Sequence, residues 1–256
     1  MTAADLGLAP VRAPAPFQPF HKWDRNFFLL MVVLIWAGVA AGFGLDTIRH
    51  FQSGEAAYPL IIHFHAVAYV GWLVLLAVQV LLIRNGRQDI HRKLGMLAIG
   101  LAAFMVVIGP VANQIVEFER FGTPRSNPPF MAIPLMAVLS FAILVTAAIA
   151  RRKDSPAHKR LILLATLSIS GAGFARWMRP VFFALMGKTT ASFFWALFLG
   201  PDLLILAIAG YDLYTRHKLH PAYSVGLAWL AVSQVVTASL YLSPWWRALT
   251  TSWVSH

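Results

Sequence analysis

The chain of 256 residues is 59% hydrophobic and only 12% charged, with a mean hydropathy of +0.67; this balance excludes an ordinary soluble domain and points to a membrane protein. Its formal net charge is +11, but the cations cluster in short segments between apolar runs, without the interleaved aromatics of a nucleic-acid face, so no nucleic-acid partner is expected. Cysteine is absent, which excludes disulfides, thiolate metal sites, iron–sulfur clusters and haem held through paired thiols.

Residues 1–24 are rich in Ala and Pro and read as a flexible cytoplasmic tail that docks loosely, with no removable signal peptide expected. Residues 25–256 read as the membrane domain. Seven spans are expected, at about 27–45, 58–83, 93–116, 130–150, 160–186, 191–213 and 222–242, each long enough to cross a hydrocarbon core of roughly 30 Å as a helix. Short alternating segments are missing, which excludes a membrane barrel, so the fold class is an all-α polytopic bundle. The tail and alternate loops hold fourteen cations, among them Arg84, Arg87, Arg92, Arg151, Arg152 and Lys153, whereas the opposite loops hold Arg49, Arg120, Arg125, Lys188 and Arg247. Positive residues stay inside, so the amino terminus is expected in the cytoplasm and the carboxyl terminus outside, in a bacterial inner membrane with the lipid bilayer as partner.

An internal repeat runs along the cytoplasmic turns. "RNGRQDIHRKLGMLA" at 84–98 aligns without a gap to "RRKDSPAHKRLILLA" at 151–165, and "RHKLHPAY" at 216–223 is a fainter echo. Spans 2–3, 4–5 and 6–7 therefore read as related two-helix hairpins, with span 1 added in front. Asp89, Ser155 and His220 occupy N-cap positions, and Pro156 and Pro221 first-turn positions where a missing N–H is harmless. His91, His158 and His220 are expected at the water interface as helix-start residues, with a cytoplasmic cofactor site as the alternative.

Several polar residues lie inside the spans. In "LIIHFHAVAYVGW", His63 and His65 point to nearly opposite faces, since two helical positions turn by about 200°; His65 shares its face with Tyr69 and Trp72. Asn113 and Gln114 follow Pro110, and Asp202 follows Pro201; each proline frees a backbone carbonyl one turn earlier. Arg176 and Arg179 lie one turn apart beside the small residues Gly171, Ala172, Gly173 and Ala175, with Arg179 expected to snorkel outward and both orientations open for Arg176. A carboxylate as deep as Asp202 has to be neutral, paired or next to water. Together with Gln234, these residues occupy the outer half of the bundle, while the inner half offers chiefly Gln79 and Ser168. The expectation is an outward-opening polar cavity lined by His63, His65, Tyr69, Trp72, Asn113, Gln114, Arg176, Asp202 and Gln234. The competing reading is a set of helix-to-helix hydrogen bonds, worth only about 0.6 kcal/mol each.

The helix "HFHAVAYVGW" followed by "GRQDIHRKLG" resembles uncharacterised bacterial multi-span membrane proteins that combine a His-rich helix, a nearby Trp and a His-Arg-x-x-Gly turn. That resemblance covers most of the chain and implies no particular activity. In outline the hairpins are also similar to the b-type diheme cytochromes, and that resemblance implies haem b. Bis-histidine ligation needs histidines on facing helices at matching depth, and span 2 alone holds histidines within the apolar interior. Three functions remain: a binding or accessory protein for a small amphipathic ligand of lipid or quinone type, a redox protein using haem b or quinone, and a proton-coupled transporter. No metal centre is expected, because three convergent ligands are lacking. A membrane-protein partner or homo-oligomer is left open, as is whether the chain is an enzyme.

Overall fold

The computed structural model describes residues 16–54 and 57–255, so the first fifteen residues of the expected tail lie outside the described residues. Seven long helices follow the expected spans: α1 (Asp24–Ser53), α2 (Leu60–Arg84), α3 (Gln88–Arg120), α4 (Ala132–Ala150), α5 (Ser155–Met186), α6 (Thr190–Arg216) and α7 (Pro221–Leu242). All seven are long and apolar enough to cross a membrane, and the chain is a multi-pass integral membrane protein. No strand occurs among the described residues. Helices α1 and α3 run past the expected limits, so Asp46 and Glu117 belong to helices.

An eighth helix, α8 (Pro244–Val254), was not expected. At 11 residues it is too short to span. The Ser243 hydroxyl accepts from the Trp246 backbone N–H at 3.4 Å. The buried Trp246 indole donates to the Pro129 carbonyl at 3.1 Å, fixing α8 over a 3-10 turn at Pro128–Met131. Trp245 and Trp253 stay exposed, as suits an interfacial helix.

Neighbouring helices from α1 to α5 pack in chain order, and α5 returns to pack on α1, closing a five-helix ring. Helix α6 lies along α5 and touches α1, while α7 crosses α4 and α5. Neither α2 nor α3 packs backbone-close on α5. Large side chains fill that gap: Trp72 donates to the Thr166 hydroxyl at 3.1 Å and meets Phe141 edge-on, beside the fully buried Met105.

Helix α5 is the hub because its small residues admit close neighbours. A Cβ at Gly42 would fall on the Gly173 carbonyl, and one at Gly173 would stand 2.8 Å from the Val39 Cα, so α1 and α5 meet backbone to backbone. On the other face, Pro201 frees the Leu197 carbonyl, and that oxygen lies where a Gly171 Cβ would come within 2.9 Å. Gly173→Leu is expected to force α1 and α5 apart and cost about 1–3 kcal/mol or more. The check is the unfolding midpoint in detergent, with Gly100→Leu, which meets open space, leaving the midpoint unchanged.

Candidate functional site

Inner and outer below refer to the ends that the charge distribution assigns to cytoplasm and exterior. The nine residues expected to share one outer cavity do not all meet. His65 stacks on Tyr69 with ring centres 4.1 Å apart, and Tyr69 donates to the Met105 carbonyl at 3.4 Å. The Tyr69 hydroxyl also covers Gly109, where a Cβ would approach it to 2.5 Å. Helices α2 and α3 are antiparallel, so one turn outward from this contact lie His65 on α2 and Asn113 on α3, each rising about 6 Å from it. The His65 Nδ1 and Asn113 Oδ1 atoms are both buried and have no hydrogen-bond partner among the described residues.

Arg176 stands at the same outer end of the ring, its Nε 3.0 Å from the Asp46 carboxylate and its guanidinium 3.9 Å from the Phe43 ring centre. It also donates to the Ala172 carbonyl at 2.7 Å and acts electrostatically on His65. Asp202 and Gln234 form a separate pair between α6 and α7, with Gln234 donating to Asp202 at 2.6 Å. Three expectations are corrected. His63 and Gln114 are exposed on the bundle surface, because neighbouring helical positions turn outward when His65 and Asn113 turn in. Trp72 is a buried bridge to Thr166 and forms the floor below His65 and Tyr69 rather than a wall. The Asp202–Gln234 pair lies on the far side of α5, so no single cavity collects all nine.

The inner half is far richer than Gln79 and Ser168. Arg160 and Asp212 have no exposed surface at all. Arg160 binds both carboxylate oxygens of Asp212, one through Nε at 2.6 Å and the other through Nη2. Arg216 grips both oxygens of Asp24 at 2.8 Å and reaches Asp212 at 3.5 Å. Lys159 and the Tyr211 hydroxyl donate to Asp24 at 2.7 and 2.6 Å. Phe17, in the segment before α1, lays its ring 4.9 Å from the Arg160 guanidinium and 5.2 Å from that of Arg216, and the Gln18 carbonyl accepts from Arg216 at 2.9 Å. Asp24 and Asp212 went unremarked because each sits at the end of an apolar run, where a carboxylate ordinarily meets water. The signal available was the i, i+4 spacing of Asp212 and Arg216.

The helix starts also differ in part. Asp154, not Ser155, caps α5, accepting from the Ala157 N–H at 3.1 Å. Asp89 binds Arg87 at 3.3 Å and lies inside the first turn of α3, whose N-cap position is held by Arg87. His220 does cap α7, its Nδ1 accepting from the Ala222 N–H at 3.2 Å. His91 and His158 do not simply face water: their rings meet perpendicular with centres 6.5 Å apart. His158 Nδ1 bonds the Ala148 carbonyl at 2.9 Å. His91 Nδ1 is buried near the Gln79 backbone without closing a well-formed hydrogen bond. The Gln79 amide donates to the His91 carbonyl at 3.2 Å, but its oxygen is buried without a partner. Among the described residues no three His or carboxylate side chains converge as a metal-binding group.

Two outcomes test the inner end. Asp212→Ala leaves two buried guanidinium groups short of a partner and is expected to cost about 3–5 kcal/mol, read as a lowered unfolding midpoint. Removing the exposed Asp89 carboxylate should leave that midpoint unchanged. His220 supplies a pH test. Burial holds its imidazole below the ordinary value, with Asp154 at 3.5 Å pulling the other way and Arg160 adding to the fall. The unfolded chain thus takes up the proton first, so stability present above about pH 6.5 is lost as the pH falls through the depressed folded value. A midpoint that falls between about pH 8 and pH 5.5 in the native chain, and is flatter in His220→Asn, is the expected result.

Comparison with protein-family models, curated protein sequences and solved structures finds no match to this chain.

Proposed function

We propose that this membrane protein is a binding or accessory protein whose outer end holds the oxygen-bearing head group of a small amphipathic molecule, of lipid or quinone class. The observation that carries the reading is the pair of buried, unpartnered atoms, His65 Nδ1 and Asn113 Oδ1, on adjacent helices at matching depth. A buried polar atom left without a partner costs about 1–3 kcal/mol, and a hydroxyl entering between α2 and α3 would satisfy both, donating to Asn113 Oδ1 and accepting from an Nδ1–H of His65. Tyr69 offers an aromatic face, Trp72 closes the floor, and Arg176, paired with Asp46, stands at the mouth for a polar substituent. The apolar remainder of the molecule would lie along the exposed surface of α2, where Phe64 and Val67 face outward. The satisfied Asp202–Gln234 pair takes no part.

Native mass spectrometry of the detergent-purified protein tests this. An organic adduct is expected on the native chain and on His63→Ala, and is lost from His65→Ala and from Asn113→Leu. Native protein that carries no adduct, or an adduct that survives both inner substitutions, overturns the reading. A Soret band on the same sample would support the redox alternative instead.

A further inference from the structure

We infer that His91 and His158 form a transition-metal site at the inner end of the five-helix ring, with the Gln79 amide oxygen as a third donor. The repeated turn places one histidine at the start of α3 and one at the start of α5, and the fold brings the two rings to a centre separation of 6.5 Å. An imidazole nitrogen binds a first-row metal at about 2.0–2.1 Å, and its ring centre lies about 1.1 Å further on, so two imidazoles trans across one ion stand roughly 6.4 Å apart. The observed spacing matches the ring separation of that arrangement.

The hydrogen bonds agree with it. His158 commits Nδ1 to the Ala148 carbonyl, which fixes that nitrogen as the donor and leaves a lone pair on Nε2; a backbone carbonyl commonly orients a metal-ligating histidine in this way. His91 Nδ1 and Gln79 Oε1 are buried and unpartnered, and the Gln79 amide is held at the start of α3 by its bond to the His91 carbonyl. Two neutral imidazoles and an amide oxygen make a nitrogen-and-oxygen set suited to a tetragonal divalent ion, and copper binds such sets most tightly among the first-row divalent ions. Arg92 and Arg152 are exposed, so solvent weakens their charge at the site, although Arg92 still acts on His91. The unpartnered Gln79 oxygen favours a free ion over haem, whose iron would need only the two histidines.

The experiment is equilibrium dialysis of chelator-stripped, detergent-purified protein against Cu(II), followed by metal analysis and electron paramagnetic resonance. One equivalent of copper is expected, with superhyperfine structure from two nitrogens. His91→Ala and His158→Ala should each weaken binding by about tenfold or more and leave one nitrogen coupling, whereas His63→Ala changes nothing. His91 Nδ1 closes no well-formed hydrogen bond in the fold, and an unchanged elution volume checks that its removal leaves the structure intact. Substoichiometric copper on the native chain overturns the inference. Binding indifferent to both substitutions overturns it as well, and so does a Soret band that both histidines control. None of these results bears on the adduct at His65, so the two sites are tested apart.

Discussion

Arg160 and Asp212 have no access to solvent or lipid, and their pairing constrains every helix near them. A guanidinium buried on one membrane helix needs its carboxylate on another, and removing either leaves the other at a cost far above that of a surface pair. The pair fixes the start of α5 against the end of α6, and Arg216 extends the network to Asp24 at the start of α1. Lys159 and Tyr211 complete the shell around Asp24. Three long helices are therefore tied at one end by hydrogen-bonded charges, and Phe17 and Gln18 close over them.

Towards the other end the same helices are held by close approach. Helix α5 has the lowest mean hydropathy of the seven, 1.4, yet 61% of its most apolar stretch is buried, against 22% in α2, α3 and α7. Position in a membrane bundle thus follows side-chain size and polarity, since lipid already satisfies a purely apolar surface. The interior of the ring is layered as a result. Polar atoms without partners occur near both ends, at His65 and Asn113 and at His91 and Gln79, and the Trp72, Phe141 and Met105 side chains fill the middle.

The spans were legible because each requires about twenty apolar residues in sequence. Helix α8 was not, since its place depends on the Trp246 bond to a carbonyl in a distant turn. The same distinction runs through the sites. The inward turn of His65 beside Tyr69 follows from helical spacing, while the separation of Asp202 from His65 follows from α5 standing between α6 and the α2–α3 pair, which no local pattern states. His91 and His158 could be matched as a repeat, but their meeting depends on α3, α4 and α5 packing side by side. Asp24 and Asp212 were overlooked because hydropathy ranks a residue by its chain neighbours, and their partners come from other helices.

The place of Asp24 also bears on how the protein is assembled. Its carboxylate enters the membrane with the first helix, while the groups that neutralise it, Lys159 and Arg216, belong to the fifth and sixth. During synthesis the nascent chain must keep that charge hydrated at the membrane boundary until more than half of the polypeptide has been made. The late arrival of α5 and α6 then withdraws it from water, so final closure of the bundle is coupled to completion of the sixth helix.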